Sequence, residues 1–577
     1  MRIKQFLKSN IFIILILVFA LFLYIHFMMH DTLSPDEALY AWNAKQVYEN
    51  PFIILSLDFL QNDPFVLLVV AFFDVFLLQE FAARLVIVLF ALLGVLLIYL
   101  LGKEMKNKDF GALAALFLIL NPWYWMLSNR ILLDVPLTTM IILNAYFLFK
   151  LYKTKNSLFL YLSLISLILV ILTKLAGVMI LPVNIIVLYF VYFKDFGSLK
   201  RWLYCIVSLF LPMIFMVFLF WDKISRYLSY VSVERFLLNY PVVNNVFDIL
   251  LGYVPSQVYL FFYIVSFAFI IFLIYKMIVF KQDRFIFLFI LLFLCSILIF
   301  RTFFGAVTVV RYLLPLVPFL LLLIIFVLYQ DLVNIKNRFN IRNIYIVILI
   351  IILIILPLLV QGIQINKFTS YSKTGFNEAG IWLGENIDSE KSIIFAGNPM
   401  QIRYYSGFDC AQEDEILVCY STNKGIPFKR DFITYIEQNP EQTIFLQMDF
   451  REKYQPGWIK RLDSAEDLKL WGFELAYVVT KKQPFYMSPP TQAKTEFLES
   501  FNITPYEIFP GDNIIFPPGI EAYAGNWDNG AYLEELGFKK ADSLFDYMGF
   551  AFSLEDTYMD QPVVLIFKRD PINLTEN

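Results

Sequence analysis

The chain has 577 residues, is 59% hydrophobic and 18% aromatic, and is only 16% charged, against roughly 25% charged in a soluble domain. Its 62 Phe exceed what one soluble core can hide, so the surplus apolar surface must face lipid. A net charge of −3 gives no electrostatic argument for nucleic acid, and the only two histidines, His26 and His30, exclude a zinc enzyme built on several of them.

Residues 1–10 carry Arg2, Lys4 and Lys8, and an apolar run follows from Ile11 to Met29. That run is too long for a signal-peptide core and no small-residue cleavage site follows it, so it reads as an uncleaved first helix. Apolar runs of about 20 residues mark spanning helices and predict about eleven of them. They lie at 11–29, 82–102, 110–128, 135–152, 157–172, 175–193, 202–220, 257–277, 285–300, 312–329 and 343–361. With the N-terminus in the cytoplasm, the inner loops hold the cations, among them Lys103, Lys106, Lys108, Lys150, Lys153, Lys155, Lys200, Arg201, Lys281, Arg284, Lys336 and Arg342. The outer loops hold mainly acids, among them Asp31, Asp36, Glu37, Asp63, Asp134 and Glu234. This alternation follows the positive-inside rule and supports the span list. The run 64–79 is short and interrupted by Asp74, so it reads as a helix lying in the outer interface, as does 36–49.

The composition changes near residue 364. An odd number of spans puts 364–577 outside the cytoplasm, as a domain distinct from the membrane domain 1–363. Strand-like runs at 392–397, 443–450, 474–479 and 562–568 alternate with helix-like runs at 377–387, 428–439 and 491–501. That pattern predicts an α/β domain. The sequons at Asn502 and Asn573 agree weakly with an outer location. Cys410 and Cys419 allow a disulfide in an oxidising compartment, while Cys205 and Cys295 lie in apolar runs and read as small core residues. The fold class is therefore a polytopic α-helical membrane protein of the plasma membrane with a C-terminal extracytoplasmic α/β domain.

Four elements stand out as carriers of chemistry. Asp36 and Glu37 open a short helix beyond the first span, with Ser34 as N-cap and Pro35 at the first position. The plain alternative is that these acids only complement the helix dipole. Arg130 and Asp134, between the third and fourth spans, are four apart and predicted to pair on one helical face. Ionisable groups at membrane depth cost roughly 2.5–3.5 kcal/mol each on insertion scales and mark functional sites. Lys174 lies between two apolar runs on the acid-rich side, either as a snorkelling anchor or as a phosphate ligand. Arg311, followed by Tyr312-Leu-Leu-Pro315, opens the tenth span from outside, with Arg301 just upstream. Outer acids suit activation of an acceptor hydroxyl, and outer cations suit a lipid phosphate.

With these residues the chain resembles the GT-C glycosyltransferases of the dolichyl-phosphate-mannose protein mannosyltransferase and lipid A aminoarabinose transferase group, over about residues 10–330. The motifs that carry the resemblance are Asp36-Glu37, Glu80-Phe-Ala-Ala-Arg84, Asn121-Pro-Trp, Arg130 with Asp134-Val-Pro136, Thr173-Lys174 and Arg311-Tyr312-Leu-Leu-Pro315. Where the family has a His-Pro-Pro or Lys-Pro-Pro element, this chain has Asn62-Asp63-Pro64-Phe65. The resemblance implies inverting transfer of a sugar from a polyprenyl-phosphate donor to a hydroxyl-bearing acceptor at the outer face. It implies Asp36 as general base, Glu37 as its positioning partner, Lys174 and Arg311 on the donor phosphate, and Arg130 and Asp134 in the sugar pocket. No cofactor is required by this chemistry, and a divalent cation is compatible with so many acids. A polytopic transporter or lipid flippase is the alternative from another class. An oligosaccharide transferase of the same GT-C type is another, and its Trp-Trp-Asp motif is absent from the sequence.

Overall fold

The computed structural model describes residues 2–26, 28, 32–50, 79–192, 284–304, 310–326, 358–359, 362–363, 366, 375–387, 392–396, 399–407, 440–449, 465–484, 492–504, 507–508, 515–516, 539–540 and 558–571. The expected spans at 202–220 and 257–277 and most of 343–361 lie outside these residues. So do the expected interfacial helix 64–79, the helix-like run 428–439, and Cys205, Cys410 and Cys419. The chain forms two compact units. One comprises Met1–Met29 and Asn43–Asn366, the other His30–Trp42 and Lys367–Asn577.

The first unit is helical. Helix α1 (Arg2–His26) exposes Phe12, Leu15, Val18 and Phe22, three or four residues apart, and buries Ala20, Leu23 and Tyr24. A stripe of large apolar residues on an outer surface at helical spacing is stable against acyl chains, not water. After α2 (Pro35–Glu49) comes α3 (Gln79–Met105), whose 27 residues span about 40 Å at the α-helical rise. Within it, Glu80–Met105 is long and apolar enough to cross a bilayer, as is Asp134–Thr154 further on.

The expected single span at 110–128 is two helices, α4 (Lys108–Leu120) and α5 (Pro122–Leu127). Pro122 has no N–H to continue α4, and it takes the first position of α5. Asn121 stands between them in an extended conformation and accepts a hydrogen bond from the Tyr124 N–H at 2.9 Å. Helices α6 (Asp134–Thr154) and α7 (Ser157–Thr173) form an antiparallel hairpin. The expected span 175–193 begins as a 3₁₀ turn (Leu175–Ile180) before α8 (Leu181–Tyr192). Gly177 makes that turn possible. A Cβ there would lie 2.6 Å from the Val170 carbonyl oxygen, so only glycine lets the turn fold back on α7. Helix α9 (Arg284–Phe304) is followed by a second 3₁₀ turn, Val310–Leu316, and helix over 317–326. The Phe293 and Phe319 rings stack between them at 4.4 Å. Cys295, expected in the core, is exposed on α9.

Helix α6 lies at the centre of this unit, packed against α3, α7, α8 and the second 3₁₀ turn. It is tied by a buried amide network. Asn144 Nδ2 donates to the Ser163 carbonyl at 2.8 Å, Ser166 Oγ at 3.1 Å and Asn184 Oδ1 at 3.2 Å, and Asn184 Nδ2 donates back to Asn144 Oδ1 at 3.0 Å. Hydrocarbon offers these groups no other partners.

The second unit contains a mixed five-stranded sheet. Strands β1 (Ser392–Ala396), β2 (Thr443–Asp449), β3 (Glu474–Pro484), β4 (Glu507–Ile508) and β7 (Tyr558–Arg569) belong to it. Its order is β1-β2-β7-β3, with β4 also on β7, and a separate pair joins β5 (Ile515–Phe516) to β6 (Lys539–Lys540). β1 and β2 are parallel, and β7 is antiparallel to β2, β3 and β4. Central β7 reads Val563-Val-Leu-Ile-Phe567, and all five residues are fully buried, as expected of a strand covered on both faces. Leu565 and Phe567 pack with Leu468 and Leu498, from α12 (Ala465–Leu470) and α13 (Gln492–Ser500). Val564 and Ile566 pack with Phe376, Leu383 and Ile402, from α10 (Phe376–Asn386) and α11 (Pro399–Ser406). The expected α/β alternation is thus a three-layer helix–sheet–helix unit.

Asn184→Leu is expected to lower stability in detergent by about 1 kcal/mol, the usual scale for an interhelical hydrogen bond in a membrane protein. The double variant Asn144→Leu/Asn184→Leu should lose less than the sum of the two singles, because neither amide is then left unmatched. Denaturant titration of the three variants reads both numbers.

Candidate active site

The first helical unit gathers its ionisable residues at the ends of helices. Asp134 is the first residue of α6, where the unsatisfied N–H groups of the first turn favour a carboxylate. Its side chain is 3% exposed. Lys174 closes α7 in an extended conformation (φ −164°, ψ 129°) and precedes the 3₁₀ turn. That break lets its side chain leave the helix axis. Its Nζ donates to Asp134 Oδ1 at 2.8 Å. Arg311 Nε lies 3.9 Å from the other carboxylate oxygen, Oδ2. The first contact is a charge-assisted hydrogen bond, and the second is an ion pair at the limit of reach. Tyr312 lies beneath both cations, with Lys174 Nζ 4.7 Å and Arg311 Cζ 5.3 Å from its ring centroid. Both distances suit cation–π attraction.

One carboxylate thus holds two cations together, and the cluster carries a net charge of +1. Lys174 and Arg311 are still 20% and 23% exposed, so each keeps room for an incoming anion. Three segments picked out separately in the sequence, at 134, 174 and 311, come together here.

Arg130 and Asp134 do not share a helical face as expected. Arg130 lies in the turn 128–133, before α6 begins. Its N–H donates to the Leu127 carbonyl at 3.3 Å, and its carbonyl accepts from Leu132 at 2.7 Å. The turn is lined with buried polar groups. Asn129 Nδ2 donates to Asn366 Oδ1 at 3.2 Å, and Asn366 Nδ2 to the Gly362 carbonyl at 2.7 Å. Arg130 itself is buried.

Asp36 and Glu37 belong to the other unit. They occupy the first turn of α2, as expected, with Pro35 as its first residue. Glu37 Oε2 accepts the Ser34 N–H at 2.9 Å, and the Ser34 carbonyl accepts the Ala38 N–H at 2.8 Å. This is one half of a capping box, with the acid three residues after the N-cap reaching back to it. Glu37 is fully buried in this role, whereas Asp36 is partly exposed. The spacing Ser34-Pro-Asp-Glu37 carries that signal in the sequence. The role of Tyr312 as a floor for two cations has no signal in sequence spacing. Among the described residues no group of three or more His, Cys, Asp or Glu stands close enough to hold a metal ion.

The family model for dolichyl-phosphate-mannose-protein mannosyltransferases matches residues 49–230, a stretch that contains Arg130, Asp134 and Lys174. Solved structures extend the likeness over nearly the whole chain. ArnT from Cupriavidus metallidurans, bound to undecaprenyl phosphate, is similar at a TM-score of 0.53 and 15% identity over 76% of this chain and 93% of ArnT. The oligosaccharyltransferase AglB from Archaeoglobus fulgidus, with an inhibitory peptide and dolichol-phosphate, is similar at 0.55 and 12% identity over 98% of this chain and 89% of AglB. The chain has the GT-C fold. No curated protein matches the sequence. The GT-C resemblance read from scattered motifs therefore holds at the level of architecture: a polytopic helical unit with a smaller sheet-containing unit.

Asp134→Ala removes the one anion between two cations. It should lower stability by about 2 kcal/mol, the scale of a lost charged hydrogen bond. An added alkyl phosphate should raise the melting temperature of this variant more than that of the wild type, because it replaces the missing charge. Thermal unfolding in detergent with and without the phosphate measures both.

Proposed function

We propose that the protein is an inverting glycosyltransferase that moves one sugar from a polyprenyl-phosphate carrier to a hydroxyl on a protein, lipid or glycan at the outer face of the plasma membrane. The observation that carries this reading is the Lys174–Asp134–Arg311 cluster over Tyr312. It supplies two partly exposed cations at helix ends in a lipid-embedded fold. Support also comes from the mannosyltransferase family match, and from two neighbours whose structures contain undecaprenyl phosphate and dolichol-phosphate. The fold favours a transferase over a transporter or flippase.

In the reaction the acceptor oxygen forms a bond to the anomeric carbon as its proton passes to the Asp36 carboxylate. The bond between the anomeric carbon and the phosphate oxygen breaks, and its electrons leave with the carrier. The donor phosphodiester carries one negative charge. The released monoester, with a second pKa of about 6, carries close to two. Charge therefore grows at the phosphate, where Lys174 and Arg311 are assigned, and this growth is what a fixed cation stabilises selectively. Unlike an alkoxide, this leaving group needs no acid to protonate it, so one base suffices. Arg130 is assigned to the sugar. Asp134 sets the spacing of the phosphate ligands. Glu37 acts through the helix cap that orients Asp36. The second unit is assigned to the extracytoplasmic side, with the N-terminus in the cytoplasm. The chemistry requires no cofactor.

Purified protein in detergent should release free polyprenyl phosphate from at least one member of a panel of polyprenyl-phosphate sugars. Asp36→Asn should lose at least a hundredfold in turnover, at the lower end of what a positioned base contributes. Glu37→Gln, which can still close a capping box, should retain most of it. Full activity in Asp36→Asn rules out the assigned base. Lys174→Ala should raise the apparent KM for donor. EDTA should leave turnover unchanged, and a loss restored by a divalent cation would add a metal to the mechanism.

A further inference from the structure

The segment that carries Asp36 is grouped with the C-terminal unit, not with the membrane helices that flank it in sequence. Three side chains of α11 hold it. Tyr405 Oη accepts the Leu33 N–H at 2.9 Å, and Gln401 Nε2 donates to the Leu33 carbonyl. Both main-chain groups of one residue, three positions before Asp36, are thus taken by one short helix. Arg403 lies over the Trp42 ring at 4.7 Å, on the far side of Asp36 in sequence. Leu33, Gln401 and Ile402 are fully buried, and Arg403 is nearly so.

The contact is costly in a way that core packing does not explain. Gln401 Oε1 is buried with no hydrogen-bond partner among the described residues, and an unpaired buried amide oxygen is unfavourable. A leucine would fill the same space without it. The glutamine amide is held there by its bond to Leu33. Two polar groups on Leu33 and a cation on Trp42 grip the segment on both sides of the capped turn, and the capping box of Ser34 and Glu37 makes that turn rigid.

We infer that α11 is a positioning element for the catalytic segment, so that the C-terminal domain sets the place of the Asp36 carboxylate through Tyr405, Gln401 and Arg403. This rests on the reading of Asp36 as the base. The domain then contributes to the chemical step itself, besides anything it does for the acceptor. A misplaced base loses rate without weakening donor binding, because the carrier phosphate is assigned to Lys174 and Arg311 in the other unit.

The test uses full-length protein with Tyr405→Phe and Gln401→Leu, each of which keeps the side-chain volume. Hydrogen exchange of the peptide covering 32–42 reports the grip directly, whether or not the protein turns over a donor. Melting temperature reports the fold, and turnover reports the consequence. The expected result is faster exchange over 32–42 and a melting temperature near that of the wild type. The accompanying kcat should be about ten- to a hundredfold lower, in line with a displacement of about 1 Å in a catalytic group, with donor KM unchanged. Exchange at the wild-type rate overturns the inference, as does faster exchange with undiminished kcat. A lowered melting temperature with kcat falling only in proportion to the folded fraction also overturns it, because that is the signature of a merely structural contact. Full activity in Asp36→Asn sinks the assignment of the base and is read separately from the exchange rates.

Discussion

The carboxylate of Asp134 is the constraint on which the candidate site depends. Two cations brought together at the end of a helical bundle repel one another and are poorly solvated there. A single buried anion that bonds one at 2.8 Å and attracts the other at 3.9 Å allows their approach. Asp134 can be that anion because α6 starts with it, so the helix N-terminus lowers the cost of burying its charge. The unequal distances divide the labour. Lys174 is hydrogen-bonded to the carboxylate, whereas Arg311 meets it only as a longer ion pair. Beside the sugar-pocket place expected of it, Asp134 also spaces the two cations.

Much of this architecture is written in local signals. Apolar runs located the long apolar helices among the described residues, two of them long enough to cross a bilayer, because burial in lipid needs continuous hydrophobicity and little else. Four strand runs and two helix runs of the second unit fell within a few residues of their observed ends, because β7 and its neighbours alternate clearly between the two covered faces. What failed was the internal geometry of spans. The break at Asn121-Pro122 and the 3₁₀ turn after Lys174 lie within apolar runs that hydropathy sees as uniform. Yet Pro122 and Gly177 announce them to anyone asking where a backbone can continue. The shared helical face expected of Arg130 and Asp134 is missing for the same reason, since Arg130 lies in the turn before α6 and helical spacing means nothing across a turn. The meeting of positions 134, 174 and 311 was legible only as a common side of the membrane. Their contact depends on how α6, α7 and the second 3₁₀ turn pack, and no local pattern encodes that.

Sequence position also misleads about which body a segment serves. Residues 30–42 follow the first membrane helix, yet their backbone partners Tyr405 and Gln401 come from some 370 positions away. Glu37 shows a related ambiguity. An acid beside a candidate base invites a catalytic role, while the structure has it accept the N–H of Ser34, the residue that caps α2. The two readings converge, since a carboxylate one residue into a frayed helix has no fixed direction.

Helix α6 is joined at two levels to the segment that runs from the end of α7 through the 3₁₀ turn into α8. Asp134 meets Lys174, and ten positions further along both segments Asn144 meets Asn184, so each pair is 40 residues apart in sequence. Two rungs of equal offset form a frame that resists sliding as well as splaying. A one-residue insertion between 134 and 144 would throw the lower rung out of register unless a matching insertion appeared between 174 and 184. Length variation among descendants of this chain should therefore collect in the loop at 155–156, which lies outside the frame, and the two ten-residue intervals should change together or not at all.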